Sequence, residues 1–164
     1  MSRGLFKNFP EVRSNLCDFI SETIYEGRLK PDSGNQNKVI KAPKQGGNRI
    51  KKEAGVLYIP VDHEGNTQGS DEETEVVKKL VAELERTITD KMGTDVHRLG
   101  LGDILFVAPF SLQVNKLKNS LLPGARVGTI DKYQSQEAPV VIISMTSSDL
   151  ETALGGCEFL LSLV

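Results

Sequence analysis

The chain has 164 residues, of which 38% are hydrophobic and 26% are charged, and its net charge is −2. This size allows one domain with a substantial core, and we predict a single domain over residues 1–164. The balanced charge excludes a strongly basic protein, and no apolar run approaches the ~20 residues of a membrane span. Cys17 and Cys157 lack metal-ligand spacing and residues 1–9 lack a signal-peptide pattern, so we predict a soluble, cytoplasmic protein.

The first third of the chain combines a short helix with a basic segment. Residues 1–13 predict an irregular lead-in, and a helix is predicted from Ser14 to Gly27. Residues 28–52 contain eight lysine and arginine residues and one aspartate. Few of them can join a core, which predicts a flexible basic loop. Two interpretations stay open: a solvated surface loop, or a loop that contacts phosphates through Lys38, Lys41 and Lys44.

A strand is predicted at residues 55–61, followed by a polar loop. His63 lies in this loop and is interpreted as a turn residue, since no second histidine lies within metal-ligand spacing. Ser70 and Glu73 have the spacing of a capping box, in which the serine caps a helix and the glutamate bonds back to the cap. The helix is predicted to end at about Ile88.

The second half of the chain alternates strands and helices. A polar connection at residues 89–102 precedes a strand at 103–108, and a helix is predicted at 110–122. Two further strands are predicted at 126–130 and 140–143; the second is a run of four β-branched residues, typical of a strand buried on both faces. This alternation predicts an α/β protein, a three-layer fold with a mainly parallel sheet.

The polar residues 131–137, between the last two strands, are predicted to lie at the end of the first one, where ligands bind open α/β sheets. The stretch around them resembles motif V of superfamily 1 helicases of the AAA_12 group, which contains RNA-surveillance and DNA-replication helicases. The matching residues are Thr129, Ile130, Asp131, Tyr133, Gln134, Glu137, the apolar run 140–143 and Ser144. Three more segments, 16–29, 55–66 and 104–113, resemble other parts of the same domain.

The resemblance covers nearly the whole chain and implies the second, C-terminal RecA-like domain of such a helicase, a fold similar to that of P-loop NTPases. It implies that Thr129 contacts a nucleic-acid phosphate and that Pro109, Phe110 and Ser111 line the nucleic-acid track. It also implies that Gln134, Ser135 and Glu137 face the nucleotide cleft, with Arg13 as the nearest guanidinium for the γ-phosphate.

Three departures from the family pattern limit what the chain can do by itself. Ser135 stands where the family has glycine, motif VI is expected soon after Leu161 and is absent, and no Gly-x-x-x-x-Gly-Lys-Ser/Thr phosphate loop occurs. The resemblance therefore implies that ATP with Mg²⁺ binds only when a first RecA-like domain is paired with this one, and that the chain alone is inactive.

The implied partners are single-stranded DNA or RNA, a first RecA-like domain in the same or another chain, and a second copy through an exposed sheet edge. The alternative is a non-catalytic module, derived from a helicase, that binds nucleic acid or protein. A nuclease is disfavoured because the sequence shows no paired carboxylates at a plausible metal site.

Overall fold

The computed structural model describes residues 39–41, 49–51, 54–84, 88–91, 95–134 and 136–148. These residues fall in two compact units, one within Met1–Tyr58 and Arg86–Arg98, the other within Ile59–Glu85 and Leu99–Val164. Each unit contains one three-stranded sheet. The predicted lead-in, the helix that starts at Ser14 and the end of the chain after Ser148 lie outside the described residues.

The first unit contains a small antiparallel sheet of β1 (Val39–Lys41), β2 (Ile88–Lys91) and β3 (Asp95–Arg98), with β2 in the middle. Two predictions are therefore wrong here. Three residues of the predicted basic loop form a strand, and the predicted polar connection contains two strands and not an irregular segment. The strands are so short that alternation is hardly visible, although a short connection containing Gly93 is typical of a β-hairpin.

The second unit contains a parallel sheet of β4 (Ile104–Val107), β5 (Arg126–Gly128) and β6 (Val140–Ile143), in the order β5-β4-β6. Helix α1 (Asp71–Leu84) and helix α2 (Ser111–Ser120) belong to the same unit. Parallel strands with flanking helices confirm the predicted α/β fold with a mainly parallel sheet, and the arrangement is RecA-like.

The two outer strands differ from the central one in burial. All four residues of β4 are buried, as expected for a central strand with both faces covered. In β6 burial alternates, and Val141 and Ile143 are 50% and 55% exposed. The prediction that residues 140–143 are buried on both faces is therefore wrong. A β-branched run indicates a strand but does not tell an outer strand from a central one.

Both helices start where the sequence predicts and end earlier. Helix α1 buries Val77, Leu80, Val81 and Leu84, but Ile88 belongs to β2. Helix α2 buries Val114 and Leu117. The strand predicted at residues 55–61 is not formed, and Tyr58 within it is 84% exposed. Across the described residues, no helix has the length and apolar character needed to cross a membrane.

Candidate functional site

The carboxyl ends of the three parallel strands lie at one edge of the sheet, which we call the carboxyl edge. Val107 is in register with both Gly128 and Ile143, the last residues of β5 and β6. Backbone hydrogen bonds continue past the strands, because the amide of Ala108 donates to the carbonyl of Gly128 at 3.2 Å and that of Ser144 donates to Val107 at 2.9 Å. Residues that follow β4, β5 and β6 are therefore neighbours at this edge.

Four of the predicted nucleic-acid residues lie at the carboxyl edge. Thr129 follows β5 directly, and its carbonyl accepts a hydrogen bond from the amide of Lys132 at 3.2 Å. Pro109 and Phe110 are half-buried beside it in the turn after β4, and Ser111 is exposed as the first residue of α2. Hydroxyl and backbone groups in this arrangement can donate hydrogen bonds to phosphate oxygens.

Residues 129–139 connect β5 to β6 and must return from the carboxyl edge to the amino ends of the strands. After a 3-10 turn at Asp131–Tyr133, Gln136 accepts a hydrogen bond from Arg126 Nη2 at 2.9 Å. The Gln136 amide also donates to the carbonyl of Tyr133 at 3.0 Å, and its Nε2 donates to that of Lys132 at 3.2 Å, so Gln136 joins the 3-10 turn to the Arg126 side chain. That residues 131–137 offer polar groups to a ligand at the end of the first strand stays a prediction.

The predicted nucleotide-facing residues Gln134 and Glu137 are both exposed on this connection. Ser135, Arg13, Lys38 and Lys44 lie outside the described residues. Lys41 belongs to β1 of the first unit, and its side chain is likewise outside the described part of the chain.

The 3-10 turn packs closely against the end of β5. Lys132 Nζ lies 3.4 Å from the carbonyl oxygen of Val127 and 5.4 Å from the centre of the Tyr133 ring. Burial raises the pKa of Tyr133, against the opposing effect of the positive Arg126. A Cβ at Gly128 would lie 2.6 Å from Lys132 Cδ and 2.9 Å from the Tyr133 ring, so a larger residue at this position would displace both side chains.

A buried polar network joins α1, α2 and the end of β6, and Gln113 is its centre. The Gln113 side chain is fully buried; its Oε1 accepts from the amide of Ser70 at 2.9 Å. Its Nε2 lies 2.9 Å from Ser144 Oγ and 3.2 Å from both Thr74 Oγ1 and the carbonyl oxygen of Ser70. Buried amides need such partners, and here they fix three elements relative to one another.

The predicted capping box is half formed. Ser70 caps α1, since its Oγ accepts from the amide of Glu73 at 3.0 Å. Glu73 does not bond back to Ser70, because Gln113 already accepts from the Ser70 amide. The Glu73 carboxylate instead accepts from Ser144 Oγ at 2.5 Å and from the amide of Thr146 at 2.8 Å. The glutamate therefore anchors the segment after β6 and not the start of its own helix.

Thr146 adopts a backbone conformation that is rare for a β-branched residue. Its φ is 67°, in the left-handed region, and its side chain is fully buried. The conformation costs roughly 1–2 kcal/mol in an ordinary L-residue. The bond to Glu73 and a 2.7 Å contact between the Thr146 hydroxyl and the carbonyl oxygen of Met145 hold it in place. Strain of this kind clusters at functional sites.

The loop that precedes α1 is tied to the same segment. The amide of Ser148 donates to the carbonyl of Asn66 at 2.8 Å, and the amide of Asn66 donates to Ser148 Oγ at 3.0 Å. His63 lies between Ser148 Oγ, at 2.5 Å from Nδ1, and Glu73 Oε1, at 3.2 Å from Nε2. His63 is in a loop, as predicted, and its side-chain partners stand 10 and 85 residues away in the sequence.

Glu72 completes this cluster on the solvent side. Its Oε2 accepts from Asn66 Nδ2 at 2.8 Å and from Ser70 Oγ at 2.9 Å. A hydrogen bond from its own backbone amide, followed by those from Asn66 and Ser70, lowers the pKa of Glu72. The carboxylate form is therefore favoured at the positive end of α1.

In the sequence, Gln113 and Ser144 stand in segments that resemble a helicase, but no role was predicted for either residue. One signal was present: Gln113 precedes Val114 and stands four residues before Leu117, so it lies on the buried face of α2. A polar residue on such a face requires buried partners. Its partners could not be named, because they stand 31 to 43 residues away in the chain.

A parallel sheet flanked by helices, with polar residues at its carboxyl edge, places the second unit in the class of RecA-like α/β domains. The chain belongs to the AAA_12 family, described as an AAA domain, whose model matches residues 12–160. This is a helicase-like AAA domain family, which agrees with the fold. No curated protein matches the chain.

Proposed function

We propose that the chain is the second motor domain of an ATP-dependent superfamily 1 helicase, which binds a nucleic-acid backbone and contributes half of an ATP cleft. The observation that carries the proposal is the carboxyl edge, where Thr129 follows β5 and Pro109, Phe110 and Ser111 follow the neighbouring strand β4. A phosphate that contacts the Thr129 hydroxyl also comes close to the amino end of α2, where backbone amides and the helix dipole favour an anion.

The nucleotide side of the proposal rests on the connection between β5 and β6. Gln134 and Glu137 are exposed there, so an amide and a carboxylate are accessible to a nucleotide brought by another domain. A carboxylate can accept a hydrogen bond from a ribose hydroxyl, and an amide can serve either as donor or as acceptor. ATP with Mg²⁺ would supply the phosphoryl group and the free energy for stepping, with a first RecA-like domain holding its phosphates.

Thr129→Val tests the nucleic-acid role, because valine keeps the shape and removes the hydroxyl. We expect the affinity for single-stranded DNA or RNA, measured by fluorescence anisotropy at low salt, to fall about tenfold, as a hydrogen bond to a charged group contributes roughly 1.5–3 kcal/mol. Ser120→Ala is the control, since Ser120 is exposed at the opposite end of α2. An equal loss of affinity in both variants, or no loss of affinity in Thr129→Val, would contradict the proposal.

The alternative, a non-catalytic binding module, is favoured by the basic segment at residues 28–52. A salt titration tests the basic segment in either case. Weak binding that depends steeply on salt and decreases in a variant with Lys38, Lys41 and Lys44 changed to serine supports phosphate contacts by these lysines. A first RecA-like domain, added in the same or another chain, then separates the two functions, because only the motor domain would gain nucleotide-dependent binding.

The remaining parts of the proposal concern location and assembly. The balanced charge and reduced-thiol interpretation of the two cysteines support a cytoplasmic protein.

The outer strand β6, with Val141 and Ile143 half exposed, supports association of two copies through the sheet edge. Sedimentation at several protein concentrations measures this, and a monomer at every concentration would remove the homodimer from the proposal.

A further inference from the structure

Three side chains from separate segments form a continuous hydrogen-bonded chain in the second unit. Ser148 is exposed, its Oγ lies 2.5 Å from His63 Nδ1, and His63 Nε2 lies 3.2 Å from Glu73 Oε1. The histidine and glutamate side chains are only 7% and 13% exposed. A solvent-accessible hydroxyl is therefore backed by two shielded groups.

The surrounding hydrogen bonds determine which atoms of His63 and Ser148 carry the hydrogens. The Glu73 carboxylate only accepts, and it already accepts from the amide of Thr146, which can only donate. His63 Nε2 must then carry the hydrogen that it directs at Glu73. In the neutral imidazole the other nitrogen, Nδ1, is an acceptor. The hydrogen between His63 and Ser148 therefore comes from the serine hydroxyl.

We propose that Ser148 is a nucleophile activated by His63 as general base, with Glu73 fixing the ring and its tautomer, and that it is covalently modified by small activated acyl or phosphonyl compounds. A nucleophile hydrogen-bonded to a base that a third group orients is the arrangement by which proteins activate serine. The amide of Asn66, 3.0 Å from Ser148 Oγ, stabilises negative charge as it develops on that oxygen.

The modification is balanced within these groups and the reagent. With a fluorophosphonate, a bond forms between Ser148 Oγ and phosphorus, the phosphorus–fluorine bond breaks and fluoride leaves. The hydroxyl proton passes to His63 Nδ1, and the resulting imidazolium is stabilised by the Glu73 carboxylate. No oxidant, reductant or metal takes part.

The test is labelling of the full chain with a fluorophosphonate, followed by intact-mass and peptide mass spectrometry. We expect one adduct on Ser148, no adduct on this peptide in Ser148→Ala, and labelling at least about 100-fold slower in His63→Gln, since a general base contributes roughly 10²–10⁴-fold. Ser120→Ala is the matched control, because Ser120 is also exposed but lies outside this cluster, and it should label like the unchanged chain.

A second pair of variants keeps the test decisive if His63→Gln fails to fold. Ser148→Cys and Ser120→Cys are compared for alkylation by iodoacetamide, with peptide analysis to distinguish them from Cys17 and Cys157. A thiol beside His63 should react faster than the thiol at position 120. Absence of a Ser148 adduct together with equal alkylation of the two thiols would overturn the proposal and leave the cluster a purely structural contact. Neither result bears on nucleic-acid binding, so this inference fails or holds independently of the proposed function.

Discussion

Glu73 shows how a single residue can satisfy a local sequence pattern and still act elsewhere. It stands three residues after the cap Ser70, where a glutamate ordinarily bonds back to the cap. Gln113 takes that position from α2, and Glu73 reaches Ser144 and Thr146 after β6. The local pattern predicted the start of the helix correctly, but the destination of the carboxylate depends on partners more than 70 residues away in the chain.

Gln113→Met should strongly destabilise the second unit. Methionine has a similar length but leaves the amide of Ser70 without its acceptor and removes the donor to Ser144, both in a buried environment. We expect a loss of about 2–4 kcal/mol in the free energy of unfolding, measured by urea denaturation. Leu112→Ala on the same helix is the comparison, since Leu112 is half exposed, and its smaller loss would show that the amide, not the helix, carries the effect.

Glu72 gives a prediction for acid stability. The pKa of Glu72 is lowered in the folded state. Its contribution to the stability of the fold is therefore fully present above the ordinary carboxyl pKa, and it is lost as the pH falls through the lower folded-state pKa. Glu72→Gln should therefore flatten the decrease in melting temperature between mildly and strongly acidic pH, and leave a lower melting temperature at neutral pH. Parallel melting curves for both proteins at every pH would contradict this assignment. Glu64→Gln, also exposed, serves as the control.

At the scale of elements, the central strand β4 and the outer strand β6 have similar sequences and different environments. The sequence of β4, Ile-Leu-Phe-Val, and that of β6, Val-Val-Ile-Ile, are equally apolar. Their apolar runs therefore predicted both strands, and the helix between strands predicted their parallel arrangement. It could not predict their order, since β6 lies beside β4 and not beside β5, which precedes it in the chain.

Substitutions in these two strands should lower the free energy of unfolding by amounts that differ several-fold. Phe106→Ala removes a fully buried ring from β4 and should lower the free energy of unfolding by about 3–5 kcal/mol. Val141→Ala on the half-exposed face of β6 should cost about 1 kcal/mol or less. Urea denaturation followed by circular dichroism measures both. If Val141→Ala lowers the free energy of unfolding nearly as much as Phe106→Ala does, this face of β6 is covered in solution.

At the scale of the whole molecule, sequence and structure agree on the class of fold. The α/β fold follows from alternating strands and helices, and four of the predicted site residues meet at the carboxyl edge. The antiparallel sheet of the first unit was not predicted, because its three-residue and four-residue strands carry too short a pattern.

The whole chain should not hydrolyse ATP. No phosphate loop occurs in its sequence, and phosphoryl transfer depends on groups that position and neutralise the phosphates. We expect phosphate release, with or without single-stranded DNA or RNA, to equal that of a buffer blank. Steady turnover that survives a second purification and disappears in Thr129→Val would contradict this prediction.

The order β5-β4-β6 also has a consequence for the route by which the second unit folds. Strands β5 and β6 each pair with β4, but the β4–β5 pair joins residues about 21 apart, and the β4–β6 pair joins residues 36 apart. Closing the shorter loop costs less entropy, so β4, α2 and β5 should assemble first. Substitutions in β6 should then speed unfolding with little effect on the folding rate. During synthesis, β4 and β5 leave the ribosome before β6 does, so their pairing does not have to wait for the last strand.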